Sequence, residues 1–400
     1  MRHSLWFIFL IIALSTALSD QKPPIYGKHQ LIAYVVDWDL PKVFPWNKLD
    51  HVAYAFATPD INGDLTHFDS SQLKKVVTDA HSHGKGVSLA IGGWTGSVYF
   101  SSLLRTEESR KRFAEKLLKA VDEYHLNGLN IDWEYPNDPN GVSCNQKNPD
   151  DTANLLAFLQ LLRERLEKLY PHEHKLLTSA VKTNPFNDKN QLPIKHLSKG
   201  WAQVMDGFYV MNYDITGSFS DKALPMAPLY NSHRGEATWG EKAIKEWENA
   251  GIPSEHIFLG LPFYGYTQKT TESITNSTGL GVPLYKKRGQ IKGDRYDSKE
   301  KEPCPHSIAS YSGEYQWRSI KQDGVATNTS GWETFWDHAS QSPFAYNRRK
   351  SQYVTFENPA SARLKAAYIR EKRLGGAMLW SLEMDDAANS LLNALQGVRI

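Results

Sequence analysis

The 400-residue sequence predicts an α/β protein, a (β/α)8 barrel with a small α+β insertion between strand 7 and strand 8. Short apolar segments alternate with longer amphipathic segments, and eight such alternations are typical of parallel strands separated by helices. A polar stretch, residues 267–353, interrupts the alternation and is too long for a structureless loop. We therefore expect a barrel over residues 20–400, with the 267–353 insertion rising beside the carboxyl ends of the strands.

Eight short apolar segments are the predicted barrel strands. Several are continuous apolar runs, as expected of strands buried on both faces in a parallel sheet. Helix signals lie between them: Thr106 can cap a helix whose first turn holds Glu107 and Glu108, and Asn358 precedes Pro359 at the start of another. The predicted strand ranges are 31–36, 51–57, 86–92, 128–134, 176–182, 204–213, 256–263 and 376–382.

The N-terminus has the organisation of a signal peptide, residues 1–19. A short positive region, Arg2 and His3, precedes the apolar run 5–14 and a small-residue cleavage site that ends at Ser19. An uncleaved anchor is the alternative, which the shortness of the apolar run disfavours. No second hydrophobic segment follows, so we expect a secreted, extracellular protein with no membrane contact.

The composition is that of an ordinary globular protein, with 40% apolar and 22% charged residues. The formal net charge is +2 and the basic residues are scattered, so no nucleic-acid partner is predicted. The 12 Trp and 19 Tyr residues exceed what a core requires. Flat aromatic faces can stack on sugar rings, although core filling explains many of them. A monomer is the default expectation.

Two further features, glycosylation triplets and a pair of cysteines, are relevant in a secreted protein. Asn276 and Asn328 begin Asn-X-Ser/Thr triplets and are candidate glycosylation sites, although such triplets also arise by chance. Cys144 and Cys304 are the only cysteines and can pair in an oxidising compartment, but the sequence does not place them within bonding distance. Neither the cysteines nor the 14 histidines have metal-site spacing, so no metal or cofactor is predicted.

The most informative segment is 126–136, an apolar run that carries Asp132 and Glu134 two residues apart. In a strand, Asn130, Asp132 and Glu134 would line one face while the intervening apolar residues are buried on the other. Two carboxyl groups this close cannot both ionise cheaply, so one should keep its proton, as a general acid requires. An edge strand with a solvated polar face is the alternative, which the apolar opposite face disfavours.

This segment resembles the strand-4 signature DGxDxDWE of family-18 glycoside hydrolases. Tyr135 and the following proline fit the same pattern, which places Tyr135 among the implied substrate contacts. The sequence departs from the signature twice, because Asn127 and Asn130 stand where aspartates are expected. Asp132 and Glu134 match it. A third departure is Tyr266, where many members carry arginine.

Other strand ends resemble the same family. Residues 88–94 are similar to the strand-3 pattern SxGG, in which Gly93 lets the backbone approach a ligand and Trp94 forms an aromatic wall on the leaving-group side. Trp380 matches the strand-8 tryptophan beneath the reacting sugar. Tyr34 and Phe56 fit inner aromatics of the family, or are ordinary barrel packing.

The segment from Met211 to Asp214 is similar to the strand-6 pattern MxYD, which places Met211 among the implied substrate contacts. The resemblance implies that Tyr213 holds the acetamido carbonyl oxygen of the substrate, and that Asp214 supports the distorted sugar and Glu134. Glu134 would protonate the glycosidic oxygen, while Asp132 orients the substrate's acetamido group, which itself acts as the nucleophile. The tandem carboxyl groups imply a raised pKa for Glu134 and a mildly acidic optimum.

The resemblance therefore predicts a secreted chitinase that cleaves β-1,4 bonds between N-acetylglucosamine units in chitin or chito-oligosaccharides. A chitin-binding lectin on the same barrel is the main alternative, because Asn127 and Asn130 depart from the signature. An interaction protein, such as a glycosidase inhibitor, is a further alternative, since the fold alone does not establish activity. An endoglycosidase that trims N-glycan cores is a related enzymatic possibility. The long insertion favours polymeric chitin.

Overall fold

The computed structural model describes residues 29–275, 279–287 and 289–400. The predicted signal peptide, residues 1–19, and the glycosylation candidate Asn276 lie outside the described residues. Within these ranges no helix is both long enough and apolar enough to cross a bilayer.

Fourteen strands form two sheets in the described residues. In chain order they are β1 (Gln30–Val36), β2 (His51–Pro59), β3 (Leu65–Thr66), β4 (Gly86–Gly92), β5 (Gly128–Asp132), β6 (Leu176–Val181), β7 (Gly207–Val210), β8 (Ile257–Pro262), β9 (Tyr264–Lys269), β10 (Glu314–Gln316), β11 (Glu333–Asp337), β12 (Ser342–Asn347), β13 (Gln352–Phe356) and β14 (Gly376–Trp380).

Eight parallel strands close into a barrel. Their order is β1-β14-β8-β7-β6-β5-β4-β2, and β1 pairs with β2 to complete the ring, while β3 adds a short antiparallel edge to β2. The eight predicted strand segments all correspond to barrel strands. The predicted (β/α)8 barrel with an α+β insertion between its seventh and eighth strands is confirmed.

Five of the predicted strands extend beyond the observed ones, and two of them show the physical reason. The strand predicted over 128–134 ends at Asp132, because the Glu134 backbone N–H leaves the ladder and donates to Ser97 Oγ. The strand predicted over 204–213 is only Gly207–Val210, because its neighbour β6 ends at Val181, which pairs with Val210. Strand ends therefore depend on the length of the neighbouring strand.

The helices lie around the barrel and within the insertion. The Thr106 side chain accepts a hydrogen bond from the Ser109 N–H, and Asn358 caps its helix in the same way, as the sequence predicts. The helices are α1 (Ser70–Ser82), α2 (Phe100–Leu104), α3 (Glu107–Glu123), α4 (Asp151–Leu169), α5 (Gly200–Val204), α6 (Gly240–Asn249), α7 (Trp317–Gln322), α8 (Pro359–Glu371) and α9 (Ser390–Leu395).

Each barrel strand separates two environments by the period-2 alternation of its side chains. In β5, Leu129 and Ile131 belong to the large apolar core between barrel and helices. Asn130 and Asp132 point the other way and hydrogen-bond inside the barrel with Tyr34 of β1. Full burial of each aliphatic side chain stabilises the fold by about 1.5–3 kcal/mol, so this alternation determines which face of β5 carries the polar groups.

The insertion is built on the second, antiparallel sheet, of order β10-β9-β13-β12-β11. This sheet extends from Tyr264 to Phe356, three residues beyond the predicted 267–353 at each end. The strand β9 begins two residues after the barrel strand β8 ends, so the insertion rises directly from the carboxyl end of the barrel. This placement puts the second sheet beside the face on which such barrels carry their active sites.

Two internal links join the insertion to the barrel. Cys144, in the loop after β5, is bonded to Cys304 of the insertion, with 5.4 Å between the Cα atoms. Lys365 of α8 forms a buried ion pair with Glu357, at 2.6 Å, and donates to the Ala227 carbonyl oxygen at 2.6 Å. Glu357 directly follows β13, so the pair holds the exit of the insertion against the barrel.

Candidate active site

A polar cluster occupies the carboxyl end of the barrel interior. The Tyr34 hydroxyl donates to Asn130 Oδ1 at 2.7 Å and lies 3.3 Å from Asp132 Oδ2. Asn130 Nδ2 donates to Thr178 Oγ1 on β6 at 2.9 Å. Both polar atoms of the fully buried Asn130 side chain are therefore satisfied, and the residue bridges Tyr34 and Thr178 beneath Asp132.

Asp132 and Glu134 form a closely coupled pair at this end of the barrel, with their carboxyl groups within hydrogen-bond reach. Burial raises the pKa of Asp132, and hydrogen bonds from Tyr34 and Glu134 oppose that rise. Burial also raises the pKa of Glu134, and the charge of Asp132 raises it further. The pair therefore keeps a proton at pH values where two separate carboxyl groups would both be ionised.

One oxygen of the pair is open to a further partner. Asp132 Oδ1 is buried and accepts no hydrogen bond from an N–H or hydroxyl group of the described residues. A buried acceptor of this kind either shares a proton with Glu134 or receives an N–H from a bound ligand. Glu134 itself is partly exposed, so a ligand can reach its carboxyl group.

The Glu134 backbone is held from both sides. Its N–H donates to Ser97 Oγ at 2.9 Å, and its carbonyl oxygen accepts from Asn145 Nδ2 at 2.7 Å. The Tyr135 hydroxyl interacts with the Glu134 carboxyl group and lowers its pKa against the effect of burial. Tyr135, expected among the ligand contacts, therefore acts on Glu134 in this structure.

Tyr213 and Asp214 follow β7 and face the same cluster. Among the described residues, the Tyr213 hydroxyl contacts only Met378 Sδ, 3.9 Å away, which is a weak acceptor. Asp214 is exposed at the mouth of the barrel, and its Oδ1 accepts from the Tyr264 hydroxyl at 2.6 Å. The Asp214 charge raises the pKa of Glu134, although less than Asp132 does.

Trp380 forms an aromatic floor. Its ring stacks on Phe56, with centroids 5.4 Å apart and an interplanar angle of 21°, and lies 5.3 Å from the Tyr34 ring. One part of the indole remains accessible. Trp94 follows β4 at the rim and is 41% exposed, which leaves an aromatic face free beside the cluster. The predicted aromatic contacts thus lie at the barrel mouth.

Two residues predicted as ligand contacts have packing roles in the structure. Met211 is partly buried against the apolar cluster inside the barrel. Gly93 has φ +77°, and a Cβ there would lie 2.7 Å from the Phe56 ring. The Gly93 N–H also donates to the Asp132 carbonyl oxygen at 2.8 Å. Glycine at position 93 is therefore required by close packing of the strand ends.

Asn127 lies at the opposite, amino end of β5 and does not belong to the cluster. Its Oδ1 accepts from the Val87 N–H at 2.9 Å and bonds to His81 Nε2 at 2.8 Å. The side chain therefore joins the start of β4 to the helix α1. This position stabilises strand entry and lies away from the carboxyl pair.

Four residues of the site were missed by the sequence analysis: Ser97, Asn145, Thr178 and Tyr264. Each acts through a contact with Asn130, Glu134 or Asp214 that is distant in the chain. Ser97 lies close after the predicted 88–94 motif, and Tyr264 lies next to the predicted strand 256–263, which are weak signals. The described residues contain no group of three or more His, Cys, Asp and Glu suited to a metal ion.

The cluster as a whole can hold a proton next to a bound ligand and accept an N–H at Asp132 Oδ1. It also offers a free hydroxyl, Tyr213, and an aromatic floor, Trp380. Such a set fits a ring-shaped polar ligand that carries an amide group and a bond to be protonated.

A protein-family model described as glycosyl hydrolases family 18 matches residues 30–385. Among curated proteins, a "chitinase-like effector" of Moniliophthora roreri is 31% identical over 396 residues, with 94% of each chain covered. An "Endochitinase" of Manduca sexta is 26% identical over 398 residues, covering 94% of this chain and 66% of the relative.

Solved structures include one of high similarity. A chitinase from Rhizomucor miehei is 52% identical, with a TM-score of 0.90, covering 93% of this chain and 100% of that chain. A class V chitinase from Nicotiana tobaccum, solved as an E115Q mutant in complex with NAG4, is 20% identical with a TM-score of 0.75. The match covers 93% of this chain and 99% of that chain. The second likeness supports the fold alone.

Proposed function

Because the chain belongs to glycosyl hydrolase family 18, we propose that it is a chitinase that hydrolyses β-1,4 linkages between N-acetylglucosamine units, endo-acting, by a substrate-assisted retaining mechanism. The observation that carries this proposal is the buried carboxyl pair, in which the charge of Asp132 raises the pKa of Glu134, beside the accessible floor of Trp380. Chitin and chito-oligosaccharides are the proposed ligands.

Glu134 is the proposed general acid. Burial and the charge of Asp132 raise the pKa of Glu134, so it keeps its proton to higher pH than an ordinary glutamate, and its carboxyl group is accessible from the cleft. After protonating the glycosidic oxygen, Glu134 returns as the base that activates water. The two bonds to its backbone keep the carboxyl group in one place through both steps.

Asp132 and Tyr213 are proposed to hold the acetamido group. Asp132 Oδ1 has a free lone pair for the amide N–H, and the Tyr213 hydroxyl is free to donate to the amide oxygen. The amide oxygen then attacks the anomeric carbon, and the negative charge of Asp132 stabilises the oxazolinium that forms. Asn130 accepts from the Tyr34 hydroxyl, which lies between Asn130 Oδ1 and Asp132 Oδ2, so it fixes Tyr34 beside Asp132 without adding a third charge.

Trp380 and Trp94 are proposed to bind the sugars through stacking, with Trp380 beneath the reacting ring. Asp214, at the mouth, is proposed to support the distorted sugar and to help keep Glu134 protonated. Secretion, a monomeric state and glycosylation at the exposed Asn328 remain proposals from the sequence.

A catalytically weak or inactive chitin-binding lectin is the second candidate. Two observations favour it: Asn130 stands where the family signature has an aspartate, and two of the curated relatives are described as "chitinase-like effector". The decisive experiment measures turnover of a fluorogenic chitotrioside together with binding of chitohexaose. Turnover supports the chitinase, and binding without turnover supports the lectin. Absence of both turnover and binding would contradict both candidates.

Replacing Tyr213 by phenylalanine is expected to lower kcat for the chitotrioside by about 10²–10³-fold, because one preorganised donor to the amide oxygen is lost. Folding stability should change little, since the hydroxyl has only a weak sulfur partner. Thermal unfolding and steady-state kinetics check the two parts. Unchanged kcat would remove Tyr213 from the proposed mechanism.

The pH dependence of kcat/KM provides a graded test of the carboxyl pair. Activity needs protonated Glu134, so it should be present below the raised pKa of Glu134 and be lost as the pH rises through that value. Asp132→Asn removes the charge that raises the pKa of Glu134 most. It should therefore move the alkaline limb of the profile to lower pH by about one unit or more, besides lowering the rate.

Asp214→Asn removes a more exposed charge that has a smaller effect on the pKa of Glu134. It should therefore shift the alkaline limb in the same direction, but by less. Both profiles are measured with the fluorogenic chitotrioside. A limb that stays in place in both variants would show that another group supplies the proton.

A further inference from the structure

One face of the insertion sheet turns toward the candidate cleft. In the antiparallel pair β9–β10, Glu314 lies opposite Tyr266 and Gln316 lies opposite Tyr264. Residues opposite each other in such a pair lie on the same face of the sheet. Since the Tyr264 hydroxyl reaches Asp214 at the barrel mouth, this face, and Glu314 with it, borders the cleft.

Glu314 has no cationic partner in the described part of the chain. Its Oε1 accepts one long bond, 3.3 Å, from Gln316 Nε2. Arg318 is the cation closest to this row in the chain, but its Nε donates to Gln316 Oε1 at 2.7 Å and its other end pairs with Asp39. Its guanidinium also lies 3.7 Å from the Tyr296 ring centroid, so it is fully engaged.

The surroundings of Glu314 favour an incoming positive charge. Burial raises the pKa of Glu314 to about 8, and the charges of Asp294, Asp214 and Asp297 act in the same direction, because no cation among the described residues stabilises the ionised form. An arriving positive charge lowers that pKa, so that Glu314 ionises and pairs with it. A cation at position 266 would neutralise the carboxylate across the strand pair, but tyrosine occupies that position. A ligand that carries a positive group is therefore the partner that this carboxylate lacks.

The proposed chemistry places substrate beside Glu314. The strands β5 and β14 lie opposite each other in the ring of eight, so a sugar over Trp380 presents its reacting bond toward Glu134. The units on the other side of that sugar then lead away from Glu134, past the insertion that lies between β8 and β14. Glu314 borders this part of the groove.

We infer that Glu314 is a specificity-determining residue that selects chains with a free 2-amino group on this side of the reacting sugar, that is, partially deacetylated chitin. The inference rests on the proposed function. A protonated amine donates a charge-assisted hydrogen bond to the carboxylate, whereas an N-acetyl group is neutral and leaves it without a counter-charge.

Binding to a catalytically inert protein tests the inference without interference from cleavage. In a Glu134→Gln background, calorimetric titration compares fully acetylated chitohexaose with a partially deacetylated hexasaccharide of the same length. We expect the partially deacetylated chain to bind about tenfold more tightly. Adding Glu314→Gln should bring the ratio of the two affinities close to one.

Two further variants sharpen the result. Tyr266→Arg keeps Glu314 but supplies a tethered cation opposite it, and should also abolish the preference. Glu302→Gln removes an exposed carboxylate of the same insertion, away from the β9–β10 face, and should leave the ratio unchanged. Binding of both hexasaccharides with equal affinity, or a preference that survives Glu314→Gln, would overturn the role of Glu314. Binding of neither would overturn the proposed function itself.

Discussion

Glu134→Gln should reduce turnover of a fluorogenic chitotrioside by about 10³-fold or more, since a general acid contributes about 10²–10⁴-fold to such reactions. Glutamine has nearly the same shape but cannot release a proton to the glycosidic oxygen. The backbone bonds to Ser97 and Asn145 do not involve the side chain and should persist. The measurement is steady-state hydrolysis, with chitohexaose binding measured in parallel.

The matched control is Glu164→Gln, which makes the same substitution on an exposed face of α4 and should leave turnover unchanged. Stability of the Glu134→Gln protein should be equal or slightly higher, because one ionisable group leaves a crowded carboxyl pair. Retained turnover in Glu134→Gln would show that another residue is the acid. If the unmodified protein binds chitohexaose but does not turn over the chitotrioside, the result would support the lectin candidate.

Lys365→Met should lower the free energy of unfolding by about 3–5 kcal/mol, because it leaves Glu357 charged and buried without its partner. Both side chains are almost fully buried, at 1% and 2% exposure. The substitution also removes the donor to the Ala227 carbonyl oxygen. Denaturant unfolding and the midpoint of thermal unfolding measure the loss.

The double variant Lys365→Met/Glu357→Leu removes both charges, and we expect it to recover most of the stability, since an apolar pair needs no desolvation of ions. Lys111→Met breaks an exposed ion pair on α3 and should have little effect. If Lys365→Met alone unfolds like the unmodified protein, the link between insertion and barrel does not depend on this pair. We expect Lys365→Met to lose only part of the turnover of the fluorogenic chitotrioside, because Lys365 lies outside the cleft.

The sequence by itself was sufficient for the fold class and for the polar face of β5. Apolar runs of strand length alternating with helix signals follow from burial on both faces of a parallel sheet. The spacing of Asp132 and Glu134 places them on one side, because neighbouring side chains in a strand point to opposite faces. These are local properties, so they are readable without knowing where the chain returns.

The partners of those residues could not be read in the same way. Tyr34 meets Asn130 across 96 positions of sequence, and Asn145 reaches the Glu134 carbonyl oxygen from a loop. Such contacts depend on the register of strands around the closed barrel, which no single segment encodes. The same holds for the ends of β5 and β7, whose last residues pair with the last residues of β4 and β6.

Only the tertiary structure determined the positions of the residues that distinguish the cleft of this protein. Glu314 had no recognisable pattern in the polar 267–353 stretch, and only the register of β9 with β10 places it opposite Tyr266. Cys144 and Cys304, 160 positions apart, are likewise brought together by the rise of the insertion over the barrel. Local periodicity determines which way a side chain points, whereas the packing of distant segments determines what it meets.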